Sequence, residues 1–266
     1  MRRIGLALVE LLVVISIMAL LMAIVVPLTR SSRQQAKAAL CGSNIRQLLF
    51  GLLAYESENQ RFPFAFDDTP ITPPPGGWPG GQAYDRVGWW WFNYIDEGFF
   101  NDVSGPKTVL LCPSKNLRDI RLKDNILCGN YGVNQSICKC TTGSLTRAEF
   151  IGTPLSLSNM PRPSQSLLIV DSGYSMINWW HATDAPPYAL GSMIEDTAYI
   201  PGLKINEERT NLWSGQKDDA INGRHPGKTV NVGFADGHTS RTKADNLLVE
   251  KSTDGYKNNS PHWRPK

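Results

Sequence analysis

Asp171, His225, Asp236 and His238 are the residues of this chain whose types could hold a metal ion or move a proton. Imidazole nitrogens and carboxylate oxygens ligate first-row metals, and a hairpin would carry His225 toward the Asp236–His238 pair. A Ca²⁺ ion would draw on oxygen ligands such as Asp171 or Asp236. Steric chemistry offers a simpler use. Asp236-Gly237 is a preferred pair for a two-residue type I′ turn, and a flanking histidine can cap or pack. We expect these residues to be structural, with no resident metal or other cofactor. The cysteines are Cys41, Cys112, Cys128, Cys138 and Cys140. Cys41 falls in a helical pattern and reads as a small core residue. The other four would form two bridges, in any of three pairings, if their compartment is oxidising. Their spacing does not match a zinc motif. There is no G-x-S-x-G, H-E-x-x-H or Gly-rich phosphate loop, so the chain is expected not to be an enzyme.

One further acid is out of place. Residues 6–26 are uncharged except for Glu10. As a helix they would rise about 32 Å, the thickness of a bilayer core. No small-x-small cleavage site follows the run, which argues against a secretory signal peptide. In a plain anchor Glu10 would be only a cost of up to about 3 kcal/mol. A cut between Gly5 and Leu6 would supply its partner. The new α-amino group would stand four residues before Glu10, on the same helix face, or would meet Glu10 of a neighbouring copy.

The segment "RRIGLALVELLVVISIMALL" closely resembles the N-terminus of type IV prepilins and type II secretion pseudopilins. The resemblance implies a basic leader over residues 1–5, with Gly5 its last residue. Prepilin peptidase would cut there and methylate Leu6. Glu10 would guide assembly, and Pro27 would stand where many pilins carry a kink-forming proline. Leu6 and Ala7 replace the more usual Phe and Thr. Residues 43–55, the Cys-Pro-Ser at Cys112, the "RPS…D" stretch ending at Asp171 and the terminal His…Phe-Ala-Asp-Gly-His resemble a bacterial pseudopilin-like subfamily. That subfamily is named for a histidine, nine residues and then Asp-Gly; here ten residues separate His225 from Asp236. The extra residue would reverse strand facing unless a turn or bulge absorbs it, and "HPGK" is where we place it.

These residues need a scaffold. We expect an α+β, pilin-like fold: one long N-terminal helix on a small antiparallel sheet head with long irregular loops. Its parts would be a leader (1–5), a transmembrane and assembly helix (6–28), an amphipathic continuation (29–59) and an extracytoplasmic head (60–266). Ala38, Cys41, Ile45, Leu48, Leu49, Leu52 and Leu53 share one helical face. Residues 67–82 are too rich in Pro and Gly for a regular element. "VGWWWFNYIDEGFF" reads as a short helix or strand on the long helix, "KTVLLCPS" as a buried strand, and "NYGVN" as a turn. Strands are expected at 166–170 and in a hairpin near 229–242, with a frayed tail beyond residue 252. The tryptophans could stack on sugars, but we expect them to fill the core. The net charge of +3 does not point to nucleic acid.

The resemblance thus implies a filament subunit of the bacterial inner membrane, N-terminus cytoplasmic and head periplasmic. Its partners would be prepilin peptidase and other pseudopilin subunits. The alternative is a membrane-anchored glycan-binding protein that borrows the leader for targeting.

Overall fold

A computed structural model describes residues 8–69, 72–73, 87–99, 109–141, 147–183, 198–252, 255–256 and 263–264. Gly5, Leu6 and most of the Pro- and Gly-rich stretch lie outside these residues. Helix α1 runs unbroken over Leu8–Asn59 and continues through Pro27. It stops where Gln60 takes a left-handed conformation (φ 58°) and returns its N–H to the Glu56 carbonyl. Its two halves behave differently. The large apolar residues between Leu8 and Leu28 are all exposed, while Ala38, Cys41, Ile45, Leu48, Leu49 and Leu52 are buried. The first half is long and apolar enough to cross a membrane. Spacing in the second half follows the 3.6-residue period, so one stripe faces the head.

The head is built on a five-stranded sheet, in the order β5-β3-β4-β6-β7. Its strands are β3 (Tyr131–Asn134), β4 (Leu167–Asp171), β5 (Met176–Ile177), β6 (Thr229–Phe234) and β7 (Thr239–Lys243). The β3–β5 pair is parallel, so the sheet is mixed and not purely antiparallel. That pairing arises because the chain leaves β4, turns back through residues 172–175 and comes to the outer side of β3. Strands β4 and β6 are buried along almost their whole length, being covered on both faces. A β-bulge interrupts β4 between Leu167 and Ile169. Helix α1 lies across β4, β6 and β7. The approach is close at Gly233, where a Cβ would stand 3.2 Å from Ile45 and 2.7 Å from Ile169.

Smaller elements surround this core. Strands β1 (Phe66–Asp67) and β2 (Trp89–Trp90) pair antiparallel. They lead into helix α2 (Trp91–Phe99), which packs on α1 as the aromatic segment suggested. Two short helices, α3 (Ile120–Lys123) and α4 (Lys217–Asn222), lie in the segments between the strands.

Several expectations are corrected. "NYGVN" is the inner strand β3 and not a turn, because neighbours on both sides satisfy its backbone. The described part of "KTVLLCPS" is a turn at residues 109–112, not a strand. Of the tail, the described Trp263 is not frayed: it is fully buried and its Nε1 donates to the Leu247 carbonyl at 2.8 Å. The hairpin is present at β6–β7, but its turn is not type I′. Gly237 has φ 96° while Asp236 stays at negative φ, and Gly237 N–H bonds the Phe234 carbonyl. This is a three-residue loop closed by a glycine in the left-handed region.

Candidate functional site

His225 is placed by the Pro226–Lys228 turn, where Gly227 and Lys228 both have positive φ (71° and 51°) and His225 bridges back to Thr229. This is the "HPGK" segment expected to absorb the extra residue. The turn directs the imidazole inward, toward the C-terminal end of β4. There Asp171 Oδ2 receives three N–H groups: His225 Nε2 at 3.1 Å, Asn231 N at 2.6 Å and Asn231 Nδ2 at 3.0 Å. His225 Nε2 and Asn231 Nδ2 are also 3.1 Å apart, because both converge on one oxygen. The side chains of His225 and Asp171 have no exposed surface.

Two sulfurs stand beside the imidazole. Cys41 on α1 and Cys112 in the 109–112 turn approach to 2.8 Å. A ring nitrogen of His225 and both sulfurs lie within 4.8 Å of one another. Burial disfavours an imidazolium here, but the hydrogen bond to Asp171, the contact with Cys41 and the charges of both more than offset it. The His225 pKa is raised to about 9. The two thiols are driven apart. Hydrogen bonding from Cys112 pulls Cys41 down against its burial, and burial pushes Cys112 up. Asn44 and Tyr131 close the cluster: Asn44 Nδ2 donates to Tyr131 Oη and to the Leu111 carbonyl, each at 3.1 Å.

A second buried network abuts the first. Arg224, the neighbour of His225, meets Asp219 through Nε (2.9 Å) and Nη2 (2.7 Å), with neither side chain exposed. Its remaining donors reach the carbonyls of Asn130 and Ser172, both at 2.8 Å. Tyr199 Oη donates to Asp219 Oδ2 at 2.7 Å. Asn130 joins the two networks, since its Oδ1 accepts from the Cys112 N–H at 3.0 Å. Neither Arg224 nor Asp219 was legible as a site residue; a basic and an acidic residue in a polar stretch have no distinguishing spacing.

The structure therefore brings together Asp171, His225 and Cys112 and separates them from Asp236 and His238. The latter lie at the far end of β6, on an exposed turn. Asp236 Oδ1 and His238 Nδ1 are 2.6 Å apart, and the imidazole stacks on Phe234 at 4.2 Å. The four-residue metal set is split by the length of a strand. Asp171 is also unsuited to Ca²⁺, which needs six to eight oxygens, because N–H donors surround its occupied oxygen. The cysteine pairings change as well. Cys112 faces Cys41, so Cys41 is not merely a core residue, and the other three are buried thiols. For Cys138, burial pushes the thiol well above its ordinary range.

Among the described residues, the tryptophans are buried or half-buried. Trp90, Trp91 and Trp263 are fully buried. Trp179 and Trp180 stack on each other at 4.1 Å, with Arg264 over Trp179 and Arg147 over Trp180. Guanidinium groups thus occupy positions that a sugar ring would need. A polar groove lined by Ser43, Arg46, Asn231 and Arg241 reaches the cluster only through Asn231.

Fold and site together define an α+β protein whose apolar N-terminal helix can span a membrane and whose head is closed around a buried Cys-His-Asp cluster. No protein-family model, curated protein or solved structure matches the chain.

Proposed function

We propose that the protein is a pseudopilin-like structural subunit, cut after Gly5 and methylated at Leu6 by prepilin peptidase. It waits in the bacterial inner membrane with its head in the periplasm and then joins a type II secretion or type IV pilus-like filament. One observation carries this reading: α1 is continuous over Leu8–Asn59, with its apolar half wholly unpacked and its amphipathic half seated on the head. A bare apolar helix of this length must be covered by lipid or by like helices, because its exposure to water is unfavourable by roughly 25 cal/mol per Å². In a chain cut after Gly5, Glu10 would lie in the first turn of the helix, where a carboxylate is favoured by the helix dipole and would meet a neighbour's N-terminal amine.

Chemistry on a substrate has no part in this reading. The cluster around His225 binds head to helix, and its two cysteines are buried. The N-terminal sequence and intact mass, with and without coexpressed prepilin peptidase, test the proposal. The expected product begins at Leu6, carries one added methyl group and requires the peptidase. A chain that stays intact in its presence, or is cut near residue 28, would sink it.

A further inference from the structure

The Cys41 and Cys112 sulfurs meet across 71 residues of sequence, the one on α1 and the other on the turn that precedes β3. Among the described residues, only these two and His225 gather as ligands of a soft metal. A metal does not suit the spacing. Two thiolates on one tetrahedral zinc, each at about 2.3 Å, stand about 3.8 Å apart, well beyond the 2.8 Å seen here. The imidazole is also committed on one nitrogen, to Asp171. The pair is instead within a small side-chain adjustment of a direct bond.

We propose that Cys41 and Cys112 form a disulfide that fastens the packed half of α1 to the head, with His225 and Asp171 as positioning residues beside it. The bond forms while the 109–112 turn is still undocked, because Cys41 is fully buried afterwards. The Cys41 thiolate attacks one sulfur of an oxidant disulfide and expels the other as a thiolate, giving a mixed disulfide. Cys112 then gives up its proton and attacks Cys41 Sγ, expelling the second oxidant sulfur. Two cysteine thiols become one disulfide, and two electrons and two protons leave on the oxidant as two thiols. The imidazolium of His225, held by Asp171, stabilises the Cys41 thiolate for the first attack. Docking then buries the bond away from reductants. The ring it closes is long, so the constraint on the unfolded chain is large. Oxidation in the cell rests on the periplasmic head of the proposed function; the pairing itself rests on geometry alone.

The test uses the full chain in membranes quenched with acid. Thiols are blocked with iodoacetamide in denaturant, disulfides are then reduced, and the released thiols are labelled with N-ethylmaleimide. The expected result is N-ethylmaleimide on Cys41 and Cys112 only, and one linked peptide containing both in the unreduced digest. Either cysteine joined to Cys128, Cys138 or Cys140 would overturn the pairing. So would two free thiols with one equivalent of bound zinc, or two free thiols in a head that external protease can reach. If the thiols are free and the head is protected from protease, the proposed location has failed. The pairing is then decided in detergent with oxidised glutathione: formation of the Cys41–Cys112 bond upholds it, and its absence overturns it. In thermal melts, reductant should lower the wild-type midpoint by about 10 °C and leave that of Cys112→Ala unchanged. An equal response of both chains to reductant would count against the bond.

Discussion

At the scale of single residues, His225 and Arg224 are adjacent in sequence and belong to different kinds of buried pair. His225 with Asp171 is conditional on pH. The folded pKa of His225, raised to about 9, exceeds its unfolded value of about 6.5. The stabilisation is therefore complete below about pH 6.5 and is lost as pH rises through 9. The melting midpoint should fall between pH 6.5 and 9.5, and His225→Gln should remove that slope. An unchanged slope in the variant would place the titrating group elsewhere. The slope belongs to the chain with Cys41 bonded to Cys112, where Asp171 holds the imidazolium; with Cys41 free, its lowered thiol gives the opposite linkage and flattens the profile. For Arg224, burial opposes the guanidinium charge, but the charge and hydrogen bonds of Asp219 outweigh it and raise its pKa further above the ordinary range. Arg224→Leu leaves the carboxylate buried and without its cation, and should cost about 3–5 kcal/mol. Chemical denaturation of the full chain in detergent reads this, and a loss below about 1 kcal/mol would show that the pair is not the clamp its geometry indicates.

At the scale of elements, α1 is both an apolar rod and a wall of the head. Its seat on the sheet depends on Gly233, whose missing side chain lets Ile45 and Leu49 approach β6. Gly233→Val should destabilise the head by about 1–3 kcal/mol through overpacking, measurable in the same denaturation experiment. No change would mean that the helix can lift away from the sheet at little cost. The exposed half of the rod carries a different prediction. Glu10→Ala should insert and be cut after Gly5 but fail to enter filaments, read by sedimentation of sheared assemblies. Normal incorporation would remove the assembly role from Glu10. Gly5→Glu should abolish cutting, and a mature N-terminus at Leu6 in that variant would contradict the processing site.

At the scale of the whole molecule, the head is knit together by contacts far apart in sequence. The turn before β3 bonds α1 through Asn44, and Asn130 links that turn to Arg224. The last described residues return to β3, where Asn134 Nδ2 donates to the Trp263 carbonyl at 3.0 Å. Such closure predicts cooperative behaviour. Limited proteolysis of the native chain should spare residues 109–141 and 198–249 together and should digest them together once Arg224→Leu loosens the core. Separate digestion of the two would argue for independent units.

Local patterns in the sequence accounted for much of this. The apolar run, the 3.6-residue stripe from Ala38 to Leu52, the strand expected at 166–170 and found one residue later, and the hairpin across Asp236-Gly237 depend on neighbours a few residues apart, and such periodicities survive in a one-dimensional string. The isolated acid Glu10 was equally plain, because its neighbours are uniformly apolar. What only the tertiary structure decided was which distant groups meet. The parallel addition of β5 beside β3 and the burial of Trp263 depend on where the chain returns. The choice of Cys41 as the companion of Cys112 depends on where α1 crosses the sheet, and the separation of His225 from Asp236 on the strand β6 that runs between them. Burial turns those meetings into energetics: a carboxylate, an imidazole and two thiols that would be unremarkable in water hold one another in place once the long helix closes over them.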